Sequence, residues 1–235
     1  MSSSPTIVKM SCRKPRWVTT ENTITKSTTK VLGDNALIYI KNALSDDVVR
    51  AYAKDAVAVK RVQGDAVFGH KKPRYEIFYT KSGEPYRYSK ISHATTTYPK
   101  HVLDVIREIE DVVASQGEDV LPNFGELDIT GDILYDGTLK CGGRVAAHSD
   151  DERAWPIVII FSLGQTRYLR LKKIGGDEEI NVEMEHNSVV VMAGDTFQAT
   201  YTHRVDLLSP SESVGARLSL NIRYLPEQTK RRRVK

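Results

Sequence analysis

Residues Tyr135 to Glu152 read YDGTLKCGGRVAAHSDDE, and near the end of this stretch stands His148-Ser149-Asp150. On a β-strand alternate side chains share a face. His148 and Asp150 would then project side by side, an imidazole and a carboxylate aimed at one point. Two such groups make part of a metal site, and a third ligand must come from elsewhere. The best candidate is His203, in the apolar and β-branched segment Thr196 to Val205, TFQATYTHRV, which reads as a strand. Two His and one carboxylate on one side of a metal, with open positions opposite, are the facial ligand set of non-haem Fe(II).

A lone His-x-Asp is common polar sequence, so its weight depends on the rest of the chain. The 235 residues suffice for one substantial core and a small appendage. Hydrophobic residues make up 40% and charged residues 27%, the balance of a soluble globular protein. No apolar run approaches a membrane span, and the N-terminus lacks the apolar stretch of a secretory signal. The two cysteines are Cys12, in an expected tail, and Cys141. That argues against a structural disulfide and for an intracellular, reducing setting. A net charge of +4 suits a polyanionic partner without requiring one.

Residues 1–30, rich in Ser, Thr and Lys, read as a flexible tail. Ala36 to Ile40 reads as a strand, and Ser45-Asp46-Asp47 as the start of a helix reaching about Lys60. Between about residues 67 and 90, Lys71, Lys72 and Arg74 alternate with Tyr75, Tyr79, Tyr86 and Tyr88. Cations meet phosphates and rings stack on unpaired bases, so this tract suits a nucleic-acid surface. A hairpin whose tyrosines pack on the core reads the same way. Val102, Ile106, Ile109 and Val113 recur at helical spacing after Pro99, which predicts a helix from Pro99 to Gln116. From Ile129 onward short strands alternate with turn signals, and Pro156 to Phe161 reads as a strand buried on both faces. The fold class is α+β. The terminal KRRRVK, residues 230–235, is a basic run compatible with nuclear import, nucleic-acid contact or a solvated end.

Arg217 to Arg223 alternates strictly, with Leu218, Leu220 and Ile222 on one face and Arg217, Ser219, Asn221 and Arg223 on the other. An exposed strand has this pattern too. If the polar face points inward, however, two arginines without an acid form a strand built for an anion, since guanidinium grips carboxylate through paired hydrogen bonds. Six residues of strand span about 20 Å. Either twist brings the two guanidiniums together, or one serves an anionic ligand while the other supports the metal side.

Taken in order, Tyr135, HSDDE at 148–152, the strand from Pro156 to Gly164, His203 and the R-x5-R strand resemble the AlkB family of Fe(II)- and 2-oxoglutarate-dependent dioxygenases over about residues 35–225. The resemblance implies a double-stranded β-helix (jelly-roll) core with flanking N-terminal helices. It implies a dioxygenase domain over 31–227, a nucleotide-recognition lid at about 67–90 and a basic tail over 228–235. His148, Asp150 and His203 would hold Fe(II), and Arg217 would pair with 2-oxoglutarate, with Arg223, Tyr135 and Asn221 along the same pocket. O2 is the further co-substrate. Tyr88 would stack on the target base, Tyr86 and Arg74 would support the lid, and Asp151 and Glu152 would face the base. The chain departs from the family pattern at Ile133 and Ser219, where Asn is common, and in a longer segment between Tyr135 and His148.

The implied activity is oxidative demethylation of bases such as 1-methyladenine or 3-methylcytosine in DNA or RNA. The protein would act as a monomer, away from membranes, and the basic end admits a nuclear location. Two alternatives remain open at this level. One is a 2-oxoglutarate-dependent hydroxylase of a protein or small molecule; the other is a nucleic-acid-binding protein of this fold without turnover. His93, His101 and His186 read as surface or turn residues, and Cys141 as a bystander.

Overall fold

In the computed structural model, the periodicities resolve into strands and helices described over residues 23–64, 71–72, 74–88, 91–116, 124–136, 143–150, 156–206 and 215–225. The chain opens with β1 (Thr23–Ile24), β2 (Thr28–Leu32), β3 (Asn35–Lys41) and α1 (Asp46–Ala56). Next come β4 (Tyr75–Thr80), β5 (Tyr86–Tyr88), β6 (Ile91–His93), β7 (Thr95–Thr97) and α2 (Lys100–Ala114). The second half holds β8 (Glu126–Tyr135), β9 (Val145–His148), β10 (Ile157–Gly164), β11 (Arg167–Lys173), β12 (Glu179–Met184) and β13 (Ser188–Ala193). It closes with α3 (Phe197–Thr200), β14 (Tyr201–Val205) and β15 (Arg217–Leu225).

Eight strands form the larger sheet in the order β2-β3-β13-β10-β15-β8-β4-β7, and five form the smaller in the order β1-β12-β11-β14-β9. All pairs are antiparallel except β1 with β12 and β4 with β7. The two sheets share one apolar interior, the jelly roll that the family resemblance implies. Helices α1 and α2 cover the outer face of the larger sheet. That sheet is therefore a middle layer, which explains why every residue of β10 is buried. Ile157, Ile159, Phe161 and Leu163 meet the helices, while Val158 and Ile160 join the interior between the sheets.

The same layering decides which way β15 faces. Leu218, Leu220, Ile222 and Tyr224 pack under the helices. By alternation Arg217, Ser219, Asn221 and Arg223 face the jelly-roll interior. In α2 the buried residues are Val102, Val105, Ile106, Ile109 and Val113, the stripe expected from spacing. Pro99 stands one position earlier than expected, as an extended N-cap. Ser45 flanks α1 as expected, yet its backbone N–H and hydroxyl go to Glu108 on α2, so it ties the two helices together.

Two expectations change. Residues 23–30, read as tail, contribute β1 and part of β2 at sheet edges. The segment from Thr196 to Val205 is not one strand: Phe197–Thr200 is a helical turn, and the strand begins at Tyr201. Gly194 permits the change of direction, with φ of 128° and Asn35 so close that a Cβ would meet its Oδ1 at 2.2 Å. Residues 1–22, the basic end at 226–235 and both cysteines lie outside the described residues. Among the described residues, no helix is long and apolar enough to cross a membrane.

Behind the sheet, Arg61 fastens α1 to β8. Its guanidinium donates to both carboxylate oxygens of Asp132, at 3.0 and 2.7 Å, and to the C-terminal carbonyl of Ala56 at 2.9 Å. The paired side chains are 4% and 0% exposed. Burial pushes the Asp132 carboxyl upward, and Arg61 pulls it back. Removing one partner of such a pair leaves an uncompensated buried charge. Arg61→Met is expected to lower unfolding stability by about 3–5 kcal/mol in urea titrations. Arg61→Met combined with Asp132→Leu is expected to recover most of that loss.

Candidate metal centre

β9 is an edge strand of the smaller sheet, paired with β14 so that His148 and His203 are directly opposite. Opposite residues share a face, and the two rings lie with centroids 4.3 Å apart. β9 ends at His148, so Asp150 lies just past the strand rather than on it. The turn still brings Asp150 Oδ1 to 3.6 Å from His148 Nε2. One ligand atom from each of His148, Asp150 and His203 falls within 4.8 Å of the others. Among the described residues this is the one group of three or more His, Cys, Asp or Glu placed to hold a metal.

The surroundings set the protonation of the three groups. His148 Nδ1 lies 2.9 Å from the Ala146 carbonyl, which orients the ring and leaves Nε2 facing Asp150. Burial lowers the His148 pKa and brings that of His203 to about 3. Burial alone would raise the Asp150 pKa, but the Arg223 guanidinium and the two imidazoles hold it at about 2. At neutral pH the set is therefore two neutral imidazoles and one carboxylate, the form a metal requires. Arg223 reaches Asp150 through two hydrogen bonds, Nε to Oδ2 and Nη2 to Oδ1, both 3.1 Å. Of the two arrangements the R-x5-R strand allows, the chain uses the divided one: Arg223 supports the metal side and Arg217 stands apart.

The triad opens into a cavity of about 460 Å³. Arg217, 1% exposed, lines it. Its Nη2 donates to Ser162 Oγ at 2.8 Å, and its guanidinium lies 4.9 Å from the Tyr135 ring centre. Nε and Nη1 are buried without a hydrogen-bond partner among the described residues. A buried guanidinium with two unused donors fits a carboxylate ligand such as the distal end of 2-oxoglutarate. Tyr135 is the Cα partner of Arg217, and Ser219, Asn221 and Ile133 line the same cavity.

Part of the tract expected as a lid also lines the cavity. Tyr86 on β5 pairs with His93 on β6, and both line the cavity. His93 is thus a wall residue rather than the surface residue expected: its ring packs 4.9 Å from Phe78. Phe78 in turn rests over Gly131, where a Cβ would approach the ring to 3.1 Å. Arg74 donates through Nε to Glu76 at 3.1 Å and through Nη1 to the Arg144 carbonyl at 3.5 Å. Glu76, 3% exposed, also pairs with Lys72. Tyr79 faces the opposite way, toward Asp132. His101 is mostly buried beside Asp55, whereas His186 does occupy a turn and accepts the Gly164 N–H at 3.1 Å. The Tyr88 side chain, Asp151 and Glu152 lie outside the described residues.

Sequence reading missed Glu76, Phe78, His93, Arg144 and Gln198. Alternation along β4 places Glu76 and Phe78 together on the cavity face, a signal recoverable once that strand is recognised. Gln198 carries no comparable signal.

A family model described as 2OG-Fe(II) oxygenase superfamily matches residues 36–223. No curated protein matches the sequence. Among solved structures, the chain is similar to "The structure of OsALKBH1", with a TM-score of 0.56 and 16% identity, over 84% of this chain and 100% of that one. At that identity the likeness is one of fold.

Proposed function

The chain belongs to the 2OG-Fe(II) oxygenase superfamily, and on that premise we propose that it oxidatively demethylates N-alkylated bases, of the 1-methyladenine or 3-methylcytosine type, in DNA or RNA. It is an Fe(II)- and 2-oxoglutarate-dependent dioxygenase on an AlkB-type jelly roll. The observation that carries the nucleic-acid reading is the cavity mouth. Lys72, Arg74 and Arg144 line the same cavity as the triad, beside Tyr86 and His93. Cations there suit a phosphate backbone, and flat rings suit a base that has left its stack.

Fe(II) with 2-oxoglutarate and O2 supplies a hydroxylating oxidant, and the co-substrate leaves as succinate and CO2. This chain's own residues do the positioning. His148, Asp150 and His203 would hold the metal from one side, and Arg217 would anchor the co-substrate carboxylate. Phe78, His93 and Tyr86 would wall off water near the substrate. Insertion of one oxygen atom into an N-methyl C–H bond yields an N-hydroxymethyl group. That group loses formaldehyde and returns the N–H or unsubstituted nitrogen.

Arg144 is exposed at the mouth, so Arg144→Ala removes a phosphate contact with little effect on folding. It is expected to weaken binding of single-stranded oligonucleotides evenly across sequences. The slope of log affinity against log salt is expected to fall by about 0.7 in magnitude. Unchanged affinity and slope would move nucleic acid away from this mouth and favour a protein or small-molecule substrate.

A further inference from the structure

Gln198 is 3% exposed, in the short α3 that precedes the strand carrying His203. A buried amide is costly unless it is hydrogen-bonded. Its Oε1 accepts the backbone N–H of Asp150 at 3.0 Å, across 48 positions of sequence. Asp150 follows the end of β9, so no strand ladder holds that N–H. Next to it, Ser149 Oγ donates to the Tyr201 carbonyl at 3.2 Å. The corner bearing Asp150 is thereby tied to the segment bearing His203 by two side-chain bonds. Arg223 fixes the carboxylate group, whereas Gln198 fixes the backbone from which that carboxylate hangs.

We propose that Gln198 is a positioning residue of the metal centre, which sets the backbone of Asp150 and so the affinity and geometry of the bound divalent ion. It touches neither metal nor substrate. The alternative role is packing alone: the neighbouring Phe197 is 1% exposed and already anchors α3 in the interior. A packing role predicts that shape matters and the hydrogen-bond acceptor does not. A positioning role predicts the reverse. The proposal rests on the reading of His148, Asp150 and His203 as metal ligands.

The test is Co(II) titration of the full chain, followed by visible absorption, which reports ligand geometry independently of turnover. Gln198→Met keeps the length and removes the acceptor. It is expected to weaken Co(II) binding about 10- to 100-fold, as loss of outer partners of metal ligands does elsewhere, and to alter the spectrum. The metal-free variant is expected to melt close to the parent. Gln198→Glu retains an acceptor oxygen at the same reach and is expected to recover most of the affinity. If Gln198→Met fails to fold, Gln198→Asn serves instead, since it keeps the amide but withdraws it by one methylene. Parental affinity and spectrum in the acceptor-less or shortened variant would overturn the proposal. So would an equal loss in Gln198→Glu. A parent chain that binds no Co(II) would overturn the metal centre itself, a failure distinguishable from the other two.

Discussion

Asp150→Ala is expected to abolish metal binding and turnover together. Asp150 supplies the negative charge of the ligand set, and burial keeps His148 and His203 neutral rather than cationic. Its loss also removes the two hydrogen bonds that Arg223, with a side chain 16% exposed, makes to that carboxylate. A guanidinium no longer neutralised by Asp150 repels an incoming cation. The combined cost is on the order of 4 kcal/mol, about a thousandfold at 25 °C. Succinate production should fall by at least that factor, and Mn(II) should no longer raise the melting temperature. Asp150→Ala with succinate production within about tenfold of the parent would show that the chemistry does not depend on this triad.

Arg217→Met is expected to separate stability from function. Arg217 is buried with Nε and Nη1 unpartnered, and burial lowers its pKa. In the metal-free, co-substrate-free chain it is therefore an expensive charge, held by Ser162 and the face of Tyr135. Methionine fills similar space without that charge, so unfolding stability should hold or rise. Binding of 2-oxoglutarate should collapse. Losing one side of a buried charge pair costs about 2–5 kcal/mol, which is roughly 30-fold to several thousandfold in affinity. Arg217→Lys should rescue little, because a point charge cannot reproduce the paired geometry of a guanidinium. Co(II) binding should remain, since Arg217 is not part of the triad. A variant that loses stability and keeps 2-oxoglutarate affinity would show that Arg217 serves packing alone.

These residues were largely legible in the sequence because burial in a three-layer protein leaves readable patterns. Pro156 to Phe161 is apolar on both faces because β10 lies between helices and interior. The alternation of Arg217 to Arg223 marked a polar face, and its direction followed only from the helices that cover Leu218, Leu220 and Ile222. His203 could be named from its composition-rich surroundings, whereas its pairing opposite His148 is a matter of register, which one strand alone does not encode. Phe197–Thr200 reads as strand because β-branched threonines favour one, and tertiary packing of Phe197 overrides that preference. Glu76 carries no marker of burial in the sequence, because it sits in a charged, tyrosine-rich tract that also suits a solvated hairpin. Its two cations, Lys72 and Arg74, are sequence neighbours, whereas its burial depends on pairing with β8, far along the chain. Residues 23–30 lack apolar periodicity because they only edge the sheets.

Formaldehyde release is the most direct measurement of the proposed activity. Single-stranded DNA and RNA carrying 1-methyladenine or 3-methylcytosine would be incubated with the full chain, Fe(II), ascorbate and 2-oxoglutarate. The expected result is formaldehyde in step with succinate, requiring each of the methylated oligonucleotide, iron and 2-oxoglutarate, and lost in Asp150→Ala. Succinate without formaldehyde on every methylated oligonucleotide would contradict demethylation and leave a working oxygenase with a different substrate.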